Sequence, residues 1–406
     1  MIATGQGAAM AGTPSWNSVL LDSVAKRGSG HTPDKKHPEY WNGTIKWLSL
    51  KDSDRLDDLY ISDTAERITL AGIANSSAVE HPAGTVVLSR DAGVGKSAIT
   101  RDVMAVSQHF MAWQCGPRLN NHFLYYWLQH KKAEFERIAI GNTIKTIGLP
   151  YFKALEIPLP LPEEQRAIAA ALSDVDALLG ALDRLIVKKR DLKQAAMQQL
   201  LTGRTRLPGF SGKWETKRLS QLGSITRGAS PRPIDSPIWF DESSTVGWVR
   251  ISDVTRSGIF LRETEQRLSP LGVRHSRPAP RGSLIMSICA TVGRPVITDI
   301  DACIHDGFVV FDGLKIHQRF LYYVLKSIEP GWRKHGQTGS QMNLNTGLIS
   351  RTEVLVAESL EEQQTIASAL SDMDAELTAI EQRRDKTRLL KQGMMHELLT
   401  GRTRLV

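Results

Sequence analysis

Cysteine is scarce in this sequence. Cys115, Cys289 and Cys303 are the only three, and no two form a C-x-x-C pair. That excludes a disulfide-built secreted scaffold and a paired-cysteine zinc site, and it fits a reducing compartment. No run of about 18 apolar residues occurs, so no ordinary membrane-spanning helix is expected. The opening "MIATGQGAAMAGTPSW" lacks a basic stretch followed by a long apolar run, so no secretion signal is read there. The expectation is a cytoplasmic protein. Enzyme signatures are missing as well. There is no G-x-G-x-x-G loop, no H-E-x-x-H and no H-x-E…C-x-x-C pattern. The [DNS]-P-P-[YFW] motif with which an amino-methyltransferase holds a flipped base is also absent.

One stretch imitates an enzyme motif. "SRDAGVGKSAIT", Ser89–Thr100, carries Gly-Val-Gly-Lys-Ser like a phosphate-binding loop. The full motif needs a first Gly five residues before Gly95, and Arg90 stands there. A helix should follow at once, yet "SAITRDVMAVSQHF" is β-branched and alternating, which predicts a strand.

What is present points elsewhere. At 406 residues the chain is too long for one ordinary domain, and with 41% hydrophobic residues it can bury real cores. Its net charge of +8 and pI near 9.3 favour a polyanionic partner, nucleic acid first.

The chain is also written twice. "EEQRAIAAALSDVDALLGALDRLIVKKRDLKQAAMQQLLTGRTRL" from Glu163 returns as "EEQQTIASALSDMDAELTAIEQRRDKTRLLKQGMMHELLTGRTRL" from Glu361, an offset of 198 residues without a gap. Roughly 27 of the 45 positions are identical, far beyond chance for an internal repeat. Ile168, Leu172, Val175, Leu179, Leu182 and Ile186 step by 4 and 3, a coiled-coil seam; Ile366, Leu370, Met373, Leu377 and Ile380 share its phases. Acidic first turns and a Gly after the last turn, Gly203 and Gly401, bound two helices of about 40 residues, or about 60 Å each. A helix of that length needs a partner, and the other copy is the obvious one. Lys189, Lys193, Arg384 and Lys391 interrupt the seam: they face a partner or DNA, or they snorkel at a helix crossing.

The segments before each helix match more weakly but in order. "KRG" at Lys26–Gly28 parallels "TRG" at Thr226–Gly228, "WLSLKD" from Trp47 parallels "WVRISD" from Trp248, and "FLYYWL" from Phe123 parallels "FLYYVL" from Phe320. "VGKSAIT" parallels "VGRPVIT", so Lys96 becomes Arg294 and Ser97 becomes Pro295. Proline has neither the N–H nor the hydroxyl of a phosphate loop. What both copies keep is Gly plus a cation in a loop between strands, which suits a phosphate backbone or a plain turn. Short β-branched runs and Gly/Pro punctuation predict an α+β protein: two strand-rich domains, each followed by a long helix, the helices packed as an antiparallel coiled coil with internal pseudo-two-fold symmetry. The boundaries read as residues 1–158, 159–207, 208–357 and 358–406.

The helical repeats carry a resemblance. "LPLPEEQRAIAAALSDVDALLGALDRLIVKKRDLKQAAMQQLLTGRTRLPGF" closely resembles the central conserved region of specificity subunits of type I restriction-modification systems, and the copy ending "LLTGRTRL" resembles their C-terminal one. The resemblance implies two target-recognition domains, each reading one half of a split double-stranded DNA target, with the helices as spacer. It implies docking of two modification subunits that methylate adenine at N6, and restriction subunits as optional partners. The chain itself would catalyse nothing and hold no cofactor or metal. Methyl donor, ATP and magnesium would belong to the partners. A specificity subunit serving a fused methyltransferase-nuclease is an alternative, and so is a coiled-coil adaptor without DNA function. Salt-dependent DNA binding separates the adaptor. A nucleotide-binding enzyme would be separated by nucleotide binding.

DNA contacts call for Lys or Arg in loops, with Arg, Gln, Asn or Lys at groove edges. The candidates are Arg90, Lys96, Arg101 and Lys145 in the first half, and Arg232, Arg250, Arg294 and Gln341 in the second. Each can equally be a solvated surface charge. Trp47 and Trp248 read as core, and Asp52 and Asp253 as turn caps.

Overall fold

The computed structural model describes residues 16–332 and 344–405. The chain divides into two compact units, Met1–Asp183 with Gln382–Val406, and Arg184–Glu381. Each long helix, Pro162–Leu200 and Leu360–Leu399, therefore contributes one half to each unit.

In the first unit a five-stranded sheet runs in the order Ala25–Ser29, Phe110–Cys115, Val86–Ser89, Ser97–Thr100, Tyr60–Ile61. A four-stranded sheet follows the order Glu66–Ile68, Trp41–Leu48, Met104–Val106, Glu80–His81. A ribbon pairs Asn17–Leu20 with Glu156–Leu159. The continuous apolar runs have their reason here: Val86–Ser89 and Ser97–Thr100 are buried on both faces. "SRDAGVGKSAIT" is thus an antiparallel hairpin, with no helix after its loop. Gly93 and Gly95 take φ of +103° and +86°, which lets the loop fold back on Ser89.

The second unit repeats the plan. Its larger sheet runs Ser224–Arg227, Phe308–Asp312, Leu284–Ser287, Pro295–Thr298, Phe260–Leu261. Its smaller one runs Gln266–Arg267, Gly247–Val249, Ala302–Ile304, Arg277–Ala279. Its ribbon pairs Trp214–Arg218 with Glu353–Ala357. Trp47 and Trp248 are buried, and the side chains of Asp52 and Asp253 accept the backbone N–H of Ser49 and Arg250 at 2.9 and 2.8 Å.

The strands correct two of the matches drawn from the sequence. Ser29 pairs with Met111 and Arg227 with Val309, which sets Gly30, not Gly28, against Gly228. Both glycines pass tightly over a carbonyl: a Cβ would fall 1.4 Å from the Val106 oxygen or 2.0 Å from that of His305. The backbone N–H of Ile147 and of Leu344 each bond the residue after a matched strand, Arg90 and Ile288. In sequence, "GNTIKTIGL" from Gly141 parallels "GQTGSQMNL" from Gly336 and sets Leu149 against Leu344; these bonds make Ile147 the counterpart of Leu344 instead.

The repeated motifs encode the attachment of each sheet domain to the helices. In the first unit Tyr126 donates to Asp176 at 2.8 Å, and Lys391 of the second long helix meets Asp176 at 2.6 Å. In the second unit Tyr323 donates to Asp374 at 2.8 Å, and Lys193 of the first long helix pairs with Asp374. Burial pushes both phenols upward, so each stays a proton donor. The second buried Glu of each "EEQ" is gripped by the last Arg of "LTGRTRL". Arg404 makes a two-pronged pair with Glu164 at 2.5 and 2.6 Å, and Arg206 with Glu362 at 2.6 and 2.7 Å. Each guanidinium also lies over a Trp ring, Trp16 or Trp214. Gly401 and Gly203, at φ +71° and +65°, bring the chain against those rings.

The helix halves run antiparallel within each unit. In the first, Asp176 meets Lys391 and Asp183 meets Arg384; in the second, Arg190 meets Glu381 and Lys193 meets Asp374. The cations that interrupt the seam are thus paired with acids across the helix pair; Lys189 too meets Glu376 at 2.6 Å. Among the seam residues, Ile168 and Leu172 share a core with Phe123, Tyr126, Leu398 and Leu399. Ile366 and Leu370 share one with Phe320, Tyr323, Leu200 and Leu201. Leu182, Ile186 and Leu377 are buried, while Val175, Leu179, Met373 and Ile380 are half-buried.

Candidate nucleic-acid interface

Four strand ends meet at one rim of each larger sheet. In the first unit these are the ends at Ser29 and Ser89 and the starts at Phe110 and Ser97. The loops that leave them are cross-braced. Arg90 N–H bonds the His109 carbonyl at 2.9 Å, Ala92 N–H the Lys145 carbonyl at 3.2 Å, and Thr32 donates to Gln108 at 2.6 Å. His109 also meets the buried Asp91 at 2.7 Å.

This rim gathers three of the four candidates of the first half. Lys96, Lys132 and Lys145 line a depression of about 320 Å³ with Glu136, Gly93 and Val94. Lys145 is exposed and makes no ion pair among the described residues. Lys96 is a tie, donating to the Ser53 carbonyl at 3.0 Å, and Lys132 pairs with Asp57. Arg90 is mostly covered, its Nε 3.6 Å from Asp91. Arg101 stands at the opposite end of Ser97–Thr100, stacked over the Tyr60 ring at 4.2 Å beside Asn121 and His122.

In the second unit the matching rim is more strongly polar. Asp306 holds it together: it accepts from Ser230 at 2.9 Å and from Arg232 at 3.4 Å, and its carbonyl accepts from Arg227 at 2.8 Å. Burial works against its charge, but the Ser230 bond, His305 and Arg232 outweigh this and hold the carboxyl below its usual range. Arg294, like Lys96, is a tie, donating to the Ser257 carbonyl at 3.3 Å. Arg250 arrives by a different route. Gly247–Val249 pairs parallel with Ala302–Ile304, so the residue after Val249 lies beside His305. Burial first, and the Arg250 charge with it, lowers the His305 pKa. Gln341 lies outside the described residues.

Arg227, Ser230, Gln266, His305 and Asp306 were not singled out in the sequence. Only Arg227, beside a repeated Gly, carries a linear signal. Gln266 arrives through the antiparallel pairing of Trp248 with Gln266, Ser230 through its bond to Asp306, and His305 and Asp306 follow a strand paired parallel to Gly247–Val249 some fifty residues away; no local pattern announces these. Among the described residues no group of three or more His, Cys, Asp or Glu is placed to hold a metal. No described helix is long and apolar enough to cross a membrane.

Comparison with known proteins agrees with this two-fold plan. The type I restriction modification DNA specificity domain matches twice, over residues 14–186 and 211–389. The type I restriction enzyme MjaIX specificity subunit of Methanocaldococcus jannaschii is 31% identical over 267 residues. That match spans 62% of this chain and 60% of the relative, less than two thirds of its length. The MjaVIII specificity subunit of the same organism is 24% identical over 410 residues, 96% of this chain and 93% of the relative. In fold, the chain is similar to the crystal structure of a type I restriction-modification S subunit from M. genitalium, with a TM-score of 0.60 at 16% identity over 96% of this chain and 98% of that one. An HsdS subunit from Thermoanaerobacter tengcongensis superposes with a TM-score of 0.51 at 18% identity, covering 96% of this chain and 97% of that one. With its domain model matched twice and over most of the length, this chain belongs to the type I restriction-modification DNA specificity family.

Proposed function

We propose that this chain is the DNA-reading subunit of a type I restriction-modification complex. Each sheet domain reads one half of a bipartite duplex target through the loops at its rim. The paired helices set the distance between the halves and dock two adenine-N6 methyltransferase subunits. The chain performs no chemistry of its own, and the methyl donor, ATP and magnesium belong to its partners.

The observation that carries this reading is the contrast between frame and rim. The locks that fix each domain to the helices are the same in both units, Tyr–Asp–Lys and Arg–Glu–Trp. The rim loops differ, with Asp91 and His109 in one unit and Arg227, Arg232, Arg250 and Asp306 in the other. Two readers on one scaffold with different reading chemistry suit a target of two unlike halves. Lys145, Arg232 and Arg250 are the best placed of the candidates for DNA contact; Lys96 and Arg294 brace the loops, and Arg101 stands apart.

Single-molecule sequencing of genomic DNA tests the reading. Cells carrying the neighbouring modification subunit are compared with and without this chain. Methylated adenines at one split motif, present only with the chain, are expected. An active modification subunit that yields no new methylation with the chain would refute it.

A further inference from the structure

We propose that Arg250 reads a guanine in the half-site met by the second unit, and that Gln266 is its positioning residue. This rests on the DNA-reading function above.

The backbone of Arg250 is pinned. Its N–H bonds Asp253 at 2.8 Å, and the other carboxylate oxygen of Asp253 holds Arg256 at 2.8 Å and the Glu265 N–H at 3.3 Å. The side chain is pinned as well. Its Nε donates to Gln266 Oε1 at 2.8 Å, and Gln266 lies opposite the fully buried Trp248 in the sheet. One nitrogen of the fork is thus spent on a neutral partner. The two terminal nitrogens carry no ion pair among the described residues. A guanidinium held in one orientation, with donors left over and its charge not cancelled, matches the O6 and N7 acceptors on the guanine edge in the major groove.

The first unit supplies the control. Ser49 occupies the place of Arg250, with the same backbone bond to Asp52 at 2.9 Å. Glu66 occupies the place of Gln266, opposite Trp47. The nearby cation, Lys51, ends on Glu66 at 2.7 Å, so its charge is matched within the protein. The frame is shared, but only the second unit presents a cation held by an amide. A purely structural arginine would serve equally well on a carboxylate, and here the carboxylate is missing.

The test uses the full chain with its modification subunits. The motif from single-molecule sequencing should contain a G·C pair in the half read by the second unit. Arg250→Ala and Arg250→Lys should each make that one position degenerate and leave the other half-motif intact. Gln266→Glu should do the same, with its thermal unfolding midpoint unchanged. Duplexes carrying 7-deazaguanine at that position, which removes N7, should bind the wild type about tenfold more weakly and Arg250→Ala no more weakly than the unmodified duplex. A second half-motif without G·C overturns the proposal, as does an Arg250→Ala variant that keeps the motif while methylating all sites less. If Arg250→Ala abolishes methylation altogether, the wild type decides: indifference to 7-deazaguanine at every G of that half overturns the proposal. If the wild-type chain directs no split motif, the DNA-reading function itself fails, which is a distinct result.

Discussion

Lys51 in the first unit ends on Glu66; Arg250 in the second ends on Gln266. The two pairs stand on the same strand edge, over the same buried tryptophan and beside the same capping aspartate. Away from the rim the units converge again. Tyr126–Asp176–Lys391 is reproduced by Tyr323–Asp374–Lys193, and Trp16–Glu164–Arg404 by Trp214–Glu362–Arg206. The two rims differ at side chains that take no part in the locks. The buried groups have no such freedom, because removing one partner of a buried pair leaves the other without compensation.

This contrast can be broken or sharpened. The largest effect is expected at the Arg–Glu clamps. Arg206→Ala leaves Glu362 buried without its partner and should cost about 3 kcal/mol in urea unfolding. Arg404→Ala should lower the unfolding midpoint in parallel, and a clear inequality would show that the two frames are not equivalent. Next come the hairpin glycines. Gly293 has φ +80°, and an added Cβ would fall 2.2 Å from the Trp332 ring. At Gly95 the nearest atom is the flexible Lys132 side chain at 2.9 Å. Gly293→Ala should therefore cost about 2 kcal/mol and Gly95→Ala about 1 kcal/mol, measured as melting shifts. Tyr126→Phe and Tyr323→Phe should each lose about 1.5 kcal/mol, the loss of one hydrogen bond to a charged acceptor, and should match each other within about 0.5 kcal/mol.

The smallest effect is in pH. Burial holds His81 in the first unit and His305 in the second below the ordinary histidine value of 6.5. The unfolded chain therefore takes up protons first as pH falls. Stability is full above about 6.5 and declines below it, towards the lowered folded values, by at most about 1.4 kcal/mol per pH unit for each histidine. Melting curves between pH 7.5 and 5.5 should show that decline, and His81→Leu should make it shallower. An unchanged slope would mean that His81 takes no part in it.

Much of the fold was legible in the sequence because the repeat exposes it. The 198-residue offset gives the two-part plan, and the apolar seam with its acidic start and Gly stop gives the helices. The alternating stretch after Lys96 gives the hairpin that rules out a phosphate loop. The site was less legible. Lys96 and Arg294 stand out as repeated cations, and each donates to the carbonyl of a serine in or just after the short helix beneath, Ser53 or Ser257. Arg101 is a loop cation by sequence, but the length of its strand carries it to the far end of the sheet. Gln266 and Asp306 matter through tertiary neighbours alone, and a glutamine in a strand carries no local sign of holding an arginine.

The most direct measurement is the methylation motif of a chain in which the second sheet domain is replaced by a copy of the first. Each unit locks its domain with the same residues, so the graft should fold and dock. If each rim reads its own half independently, the sequenced motif becomes an inverted repeat of the first half-site across the original gap. A folded, methylation-competent graft that keeps the original second half-site would contradict the account.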